Sequence, residues 1–202
     1  MKLGVLFSGG KDSTYSAYLA EKNGYGLVCL ISILSKNPDS YMFQQIFRED
    51  IQKQADAMNL QIIFQETKGI KEKELKDLEN AIKKAKKEFQ IEGLVIGALA
   101  SVYQASRIQK ICSKLDLWCF NPLWQKDQFE LLEELLKEKF KIKIVKVAAE
   151  GLDEKWVGKM IDKEFLKEIK KLNEKYKVNP AGEGGEFETY VVNCPLFKGK
   201  NG

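Results

Sequence analysis

The chain of 202 residues contains no histidine, and this absence excludes a large part of common enzyme chemistry. Ser-His pairs, histidine metal ligands and a histidine general base are ruled out, so proton transfer falls to Glu, Asp, Lys, Tyr or water. Arginine is scarce, with Arg48 and Arg107 as its two occurrences. Nucleic-acid-binding surfaces usually combine a basic patch with arginine and aromatic side chains. We therefore expect no direct nucleic-acid binding.

Paired cysteines and long apolar runs are also missing. The cysteines form no CxxC pair, which argues against a structural zinc site. No apolar run approaches the length of a membrane span. The first apolar run begins at Leu3, without a basic leader or a cleavage site before it. We expect a cytoplasmic protein that makes no contact with a membrane.

A hydrophobic fraction of 44% is enough for a globular core, and its pattern predicts the fold class. Short, nearly continuous apolar runs at 3–7, 27–34, 62–64 and 94–96 alternate with helical periods. This pattern predicts an α/β fold with a doubly wound parallel sheet. The second half adds two helical periods and alternating strands, which predict a smaller α+β subdomain. We predict a Rossmann-like nucleotide-binding domain over 1–122 and a substrate-binding subdomain over 123–202 packed against it.

A glycine-containing segment follows the first predicted strand. It reads Phe7-Ser8-Gly9-Gly10-Lys11-Asp12-Ser13. Two glycines allow a sharp turn and a close approach of the backbone to a ligand. The first N–H groups of the following helix have no internal partner, and the helix dipole adds partial positive charge there. The segment therefore predicts a phosphate site.

This segment resembles the SGGxDS loop of the ATP pyrophosphatases, which cleave ATP to AMP and pyrophosphate. It differs from the common ATPase loop, because Val5 stands five residues before Gly10 and Asp12 follows Lys11. The resemblance implies that the loop holds the β- and γ-phosphates of ATP and that Asp12 positions Mg²⁺. The implied ATP-binding residues are Ser8, Gly9, Gly10, Lys11, Asp12, Ser13, Ser32 and Gly97, the last two flanking the nucleoside.

A second glycine-rich segment lies near the C-terminus and reads Ala181-Gly182-Glu183-Gly184-Gly185-Glu186-Phe187-Glu188-Thr189. It places three carboxylates within six residues, although like charges at short range repel. A solvated acidic turn is one interpretation. A site for a metal, a cationic substrate or a proton acceptor is the other, and the residues alone leave both open.

The two segments together resemble the diphthine–ammonia ligase family, a branch of the ATP pyrophosphatases. Three middle stretches agree with it: 101–107 (SVYQASR), the pair Leu123-Trp124, and 150–153 (EGLD). The resemblance runs from about residue 1 to residue 197 and favours the short, archaeal-type form. It implies ATP-dependent amidation of diphthine on translation elongation factor 2 with ammonium. The route would be an acyl-adenylate, and the products would be diphthamide, AMP and pyrophosphate.

The resemblance also implies roles for individual residues. The catalytic candidates are Lys11, Asp12, Glu183, Glu186 and Glu188. The substrate-binding candidates are Tyr103, Gln104, Arg107, Gly182, Glu183, Gly184, Gly185, Glu186 and Phe187. Aromatic side chains such as Phe187, Tyr190 or Trp124 would attract a trimethylammonium group by cation–π interaction. For Arg107, a grip on a phosphate or carboxylate and a plain helix salt bridge both stay open.

Two other functions share these features. The alternatives to diphthine amidation are another ATP pyrophosphatase-type ligase acting on a different carboxylate and an adenine-nucleotide-binding protein without catalysis. We see no reason for Cys112 or Cys119 to reach the phosphate loop, which disfavours thiolation chemistry. The three-carboxylate segment disfavours a nucleotide sensor. The expected partners are ammonium and the elongation factor 2 that carries diphthine. Whether the chain forms a homodimer stays open.

Overall fold

A computed structural model describes residues 1–36, 47–70 and 72–198. Its contacts divide the chain into two compact units. The first unit comprises Met1–Trp124 and Leu196–Gly202, and the second comprises Gln125–Pro195. The ATP-binding and substrate-binding roles predicted for 1–122 and 123–202 stay predictions.

The first unit is built on a parallel sheet of five strands in the order β3-β2-β1-β4-β5. The strands are β1 (Lys2–Leu6), β2 (Gly26–Ser35), β3 (Gln61–Thr67), β4 (Gly93–Val95) and β5 (Trp118–Phe120). The four predicted apolar strands and the α/β fold class are confirmed. The strand order reverses between β1 and β4, and a crevice at the carboxyl ends of the strands is the usual ligand site of such sheets.

Helices connect these strands and cover the sheet. They are α1 (Lys11–Lys22), α2 (Arg48–Met58), α3 (Glu74–Phe89) and α4 (Val102–Lys114). On α3, the buried side chains recur every three or four residues at Leu78, Ala81, Ile82 and Ala85. They join one apolar core with inward residues of β2, β3, β4 and α4. This spacing is that of a helix with one face on a core.

The second unit pairs two helices with a small sheet. Its elements are α5 (Gln128–Lys137), β6 (Lys141–Val147), a short 3-10 turn (Glu154–Trp156), α6 (Lys163–Tyr176) and β7 (Phe187–Asn193). Strands β6 and β7 are antiparallel. Both helices begin at an aspartate, Asp127 or Asp162, whose side chain accepts hydrogen bonds from two backbone N–H groups of the first turn. Such caps stabilise a helix start by about 1 kcal/mol.

None of the helices in the described part of the chain is both long enough and apolar enough to cross a bilayer.

The turn after β4 packs directly on the start of α1. A Cβ atom added to Gly97 would lie 2.8 Å from the carbonyl carbon of Asp12 and 2.8 Å from the backbone nitrogen of Ser13. Both neighbours are backbone atoms, so neither moves aside as a flexible side chain does. Glycine at this position lets β4 and the first turn of α1 approach each other.

We expect Gly97→Ala to destabilise the protein by about 1–3 kcal/mol, the usual cost of overpacking. The measurement is urea unfolding. The control is Gly26→Ala, because the nearest atom to its added Cβ is the carbonyl oxygen of Met1 at 3.8 Å. Equal free energies of unfolding for the two variants would contradict this account of the β4–α1 contact.

Candidate active site

The backbone between β1 and α1 is held in one conformation by a distant side chain. Gly9 has φ +73°, in the left-handed region that favours glycine. A Cβ atom there would lie 2.5 Å from Cδ1 of Ile51 and would also collide with Oε1 of Gln54. The Gln54 amide nitrogen donates to the Gly9 carbonyl at 3.1 Å. Position 9 therefore requires glycine, and α2 fixes the turn.

The turn leads into a helix start without a side-chain cap. Gly10 is the N-cap of α1 and, having no side chain, supplies no cap hydrogen bond to the N–H groups of the first turn. Its carbonyl oxygen accepts from Oγ of Ser13 at 3.2 Å and from Oγ1 of Thr14 at 2.8 Å. An uncapped helix start offers its N–H groups and its positive dipole end to an anion. Such a helix start suits a phosphate group, and the phosphate site stays a prediction.

The polar side chains of this loop lie close together. The hydroxyl oxygens of Ser8 and Ser13 are 3.1 Å apart, and the Ser8 N–H donates to Ser13 Oγ at 3.2 Å. Lys11 is 3% exposed, and its ammonium lies 2.9 Å from Oδ2 of Asp12. The other oxygen, Oδ1, is buried and has no hydrogen-bond partner within the described residues. A buried carboxylate oxygen is costly unless a donor or a cation pairs with it.

The structure places Ser32 and Gly97 at the same edge of the sheet as the loop. Ser32 follows Ile31, whose carbonyl oxygen accepts from the Phe7 N–H at 2.8 Å. Its hydroxyl is buried, without a hydrogen-bond partner in the described part of the chain. Gly97 packs on the backbone of α1, as described above. Their predicted contact with a nucleoside stays a prediction.

Arg107 has an acidic partner within the first unit. Its Nε and one terminal nitrogen donate to the same carboxylate oxygen of Glu72, at 2.9 and 2.6 Å. The guanidinium carbon lies 3.6 Å from the centre of the Tyr103 ring, and the Tyr103 hydroxyl donates to Glu72 at 3.0 Å. The bond to Glu72 raises the pKa of Arg107, while burial, then Glu72, raises that of Tyr103. The neighbouring Gln104 N–H donates to the N-cap Ser101.

A cavity of about 430 Å³ lies on the α4 side of the first unit. Its lining residues are uncharged: Ile96, Val102, Ala105, Ser106, Gln109, Cys119, Asn121 and Trp124. Oδ1 of Asn121 is buried and has no hydrogen-bond partner in the described residues. Trp124 is 38% exposed. A ligand here would meet an indole and neutral polar groups rather than carboxylates.

In the second unit, the carboxylate of Glu186 holds its own loop together. Its Oε1 accepts from the backbone and side-chain nitrogens of Asn179, at 3.0 and 2.6 Å. Its Oε2 accepts from the Gly184 N–H at 2.7 Å. This arrangement gives Glu186 a structural task that the sequence did not predict. Its predicted catalytic role stays a prediction.

The other two acids of this loop have different surroundings. Glu188 pairs across the sheet with Lys146, at 3.2 Å. Glu183 lies between two glycines and is half-buried. Phe187 is buried and meets the Phe165 ring edge to face, with centroids 5.9 Å apart. The three carboxylates therefore serve different contacts. In the described part of the chain, no group of three or more acids or cysteines is placed to hold a metal ion.

Two cysteines far from the phosphate loop in sequence contact each other. The thiols of Cys112, on α4, and Cys119, on β5, share a hydrogen bond. This bond lowers the pKa of Cys119 and, together with burial, raises that of Cys112. Cys119 also lines the cavity described above. Burial, and secondarily Glu88, raises the pKa of Cys29 to about 12.

Sequence reasoning missed Gln54, Glu72, Asn179 and the first residue of α5, Gln128, whose amide contacts the loop of Glu186. Each is a common polar residue that acts on a position elsewhere in the chain. Gln54 and Gly9, for example, are 45 residues apart. Nothing in their local spacing marks them.

We expect Cys119 to be the first thiol alkylated in the native protein. A lowered pKa keeps more thiolate at any pH below the usual thiol value of about 8.5. Iodoacetamide labelling followed by peptide mass mapping measures this order, with Cys119→Ser as the control. Labelling of Cys29 before Cys119 would contradict the prediction.

Comparisons with known proteins agree on one family. The chain matches the family models of the diphthamide synthase N-terminal domain over residues 1–118 and of its C-terminal domain over residues 127–201. The diphthine–ammonia ligase of Homo sapiens is 35% identical, and that of Mus musculus 36%. Both alignments cover 99% of this chain and 82% of the relative.

Two further matches are a longer relative and a solved structure. The Saccharomyces cerevisiae diphthine–ammonia ligase is 33% identical over 98% of this chain and 34% of its own length. A solved Methanocaldococcus jannaschii protein, described as a predicted subunit of tRNA methyltransferase, is 20% identical with a TM-score of 0.49. That match covers 96% of this chain and 98% of the solved one. From the two family models and the ligases that match nearly all of its length, this chain belongs to the diphthamide synthase family.

Proposed function

We propose that this protein amidates diphthine on translation elongation factor 2, using ATP and ammonium, and releases AMP and pyrophosphate. The observation that carries the proposal is the likeness to named diphthine–ammonia ligases over 99% of the chain. The uncapped start of α1 supports the use of ATP, since it suits a phosphate group. A substrate that belongs to translation would also place the protein in the cytoplasm.

The first step activates the carboxylate, which is a poor electrophile by itself. One of its oxygens attacks the α-phosphorus of ATP, and the bond to pyrophosphate breaks. This gives an acyl-adenylate and leaves negative charge on the departing group. The N–H groups at the start of α1, the ammonium of Lys11 and the hydroxyls of Ser8 and Ser13 stabilise that charge, which is the largest contribution such sites make.

Asp12 suits the role of a magnesium ligand. Magnesium usually binds proteins through one or two carboxylates and takes its other ligands from phosphates and water. Asp12 offers a buried oxygen without a partner in the described residues, beside the helix start. When bound, the ion would neutralise charge on the phosphates. Lys11 holds the second oxygen of Asp12, at 2.9 Å, and so orients the carboxylate.

The second step forms the amide. Ammonium loses one proton to become ammonia, ammonia attacks the acyl carbon, and AMP leaves with the carboxylate oxygen. The nitrogen loses a second proton, to water, as the amide forms. The first proton needs an acceptor in the site. We assign this acceptor to Glu183. Glu183 is half-buried and lies between Gly182 and Gly184, where the loop turns with φ +73° at Gly182.

The proposal predicts a product that mass spectrometry detects. Elongation factor 2 carrying diphthine, incubated with the protein, ATP, Mg²⁺ and ammonium, should gain an amino group in place of a hydroxyl, with AMP formed in equal amount. Lys11→Ala should lose this activity by at least about a hundredfold, because it removes charge stabilisation. Lys22→Ala, in the last turn of the same helix, is the control. ATP binding without any change to the elongation factor would point to a different carboxylate substrate.

We expect Glu183→Gln to lower kcat by about a hundredfold or more, because the amide cannot accept the proton from ammonium. The rate should recover partly at higher pH, where more free ammonia is present. Glu174→Gln, exposed on α6, is the control. A kcat equal to that of the wild type would remove Glu183 from the reaction.

A further inference from the structure

The first residue of α5 reaches the glycine loop that carries Glu183 and Glu186. We propose that Gln128 is a positioning residue for the reaction, which fixes this loop through Asn179 and Glu186. The proposal rests on the proposed function, in which the loop binds the diphthine end of the substrate. Gln128 contacts neither the acids themselves nor the reacting atoms in this scheme, and it acts through its neighbours.

The oxygen and the nitrogen of the Gln128 side-chain amide both make hydrogen bonds. Its Oε1 accepts from the Ala181 N–H at 2.9 Å, and its Nε2 donates to Oδ1 of Asn179 at 3.3 Å. The position of Gln128 is set in turn by the cap of α5. The side chain of Asp127 accepts from the two N–H groups that follow Gln128, at 2.9 and 3.0 Å. A capped helix therefore presents a fixed amide to the loop.

These contacts fix which end of each side-chain amide acts as donor and which acts as acceptor. The Ala181 N–H can only donate, so the oxygen of the Gln128 amide must face it and its nitrogen must face Asn179. The oxygen of the Asn179 amide then faces Gln128, which leaves its nitrogen for Glu186. That nitrogen donates to Oε1 of Glu186 at 2.6 Å. Gln128 and Glu186 thus favour the same orientation of the Asn179 amide, and Gln128 supports the carboxylate through it.

The loop folds closely around that carboxylate. A Cβ atom on Gly184 would lie 2.8 Å from Oε1 of Glu186 and 3.0 Å from Nδ2 of Asn179. The Gly182 N–H donates to the Asn179 carbonyl at 2.9 Å, and Gly182 and Gly185 have φ of +73° and +85°. Glycines lose the most conformational freedom when a loop is ordered. A loop that is ordered beforehand binds its ligand at a lower entropic cost.

Two substitutions of Gln128 separate positioning from simple packing. Gln128→Met keeps the length of the side chain and removes both hydrogen bonds. Gln128→Glu keeps an acceptor for Ala181 but presents a second acceptor to Asn179, which forces the Asn179 amide to turn away from Glu186 or lose its bond. Glu130→Met, exposed on the same first turn, is the control.

The first measurement is NMR-detected hydrogen exchange at Ala181 and Gly184, which needs no substrate. In Gln128→Met, both amides should exchange about tenfold faster, the effect of losing one hydrogen bond. In Gln128→Glu, Ala181 should stay protected while Gly184 exchanges faster. The second measurement is steady-state kinetics: kcat/KM for the elongation factor should fall about tenfold in both variants, and KM for ATP should not change.

The outcomes separate this inference from the proposed function. Unchanged exchange in Gln128→Met, or faster exchange with an unchanged kcat/KM, overturns the positioning role. An equal rise in KM for ATP also overturns it, because it indicates general damage. If the wild-type protein amidates no diphthine, the proposed function fails. The exchange pattern still tests whether Gln128 holds the loop through Ala181 and Asn179.

Discussion

The left-handed turn at Gly9 is the constraint on which the predicted phosphate site depends. Strand β1 lies in the middle of the sheet, and the chain must leave it and enter α1 with the first N–H groups of the helix open to a ligand. A φ of +73° achieves this within a few residues. The neighbouring Ile51 and Gln54 leave no room for a side chain at Gly9. The turn and the packing of α2 therefore support each other.

Both glycine-rich loops of the protein are held by a glutamine from a helix. Gln54 on α2 donates to the Gly9 carbonyl, and Gln128 on α5 accepts from the Ala181 N–H. Glycine gives each loop the backbone angles it needs, but it also leaves a loop with many alternative conformations. A side-chain amide supplies both a donor and an acceptor on one rigid group. It therefore restricts a loop without placing a bulky residue in it.

The outline of the fold and the two loops follow from local patterns, which is why the sequence predicts them. The four apolar strands and the position of the turn at Gly9 and Gly10 are marked by the local order of residues. The sequence patterns did not predict strand β5, Trp118–Phe120. Its place beside β4 is determined by long-range pairing, through contacts such as Trp118 N–H to the Glu92 carbonyl at 3.0 Å.

The side-chain contacts of the candidate site lie beyond sequence reasoning for a related reason. The sequence alone does not distinguish the three glutamates of this segment from one another. The structure distinguishes them, because Glu186 accepts three hydrogen bonds and Glu188 faces Lys146. Arg107 bonds to Glu72, a residue 35 positions away, and its predicted contact with a phosphate or a substrate carboxylate stays a prediction. Such partners are brought together only by the tertiary fold.

Transfer of an oxygen label tests the central claim, activation of a carboxylate as an acyl-adenylate, most directly. The diphthine carboxylate on elongation factor 2 is labelled with ¹⁸O and incubated with the protein, ATP, Mg²⁺ and ammonium. Mass spectrometry then follows the label into the nucleotide products. The account predicts that AMP carries one labelled oxygen, taken from the carboxylate when ammonia displaces AMP. Label in inorganic phosphate, with ADP as the nucleotide product, would show attack at a different phosphorus and contradict the account.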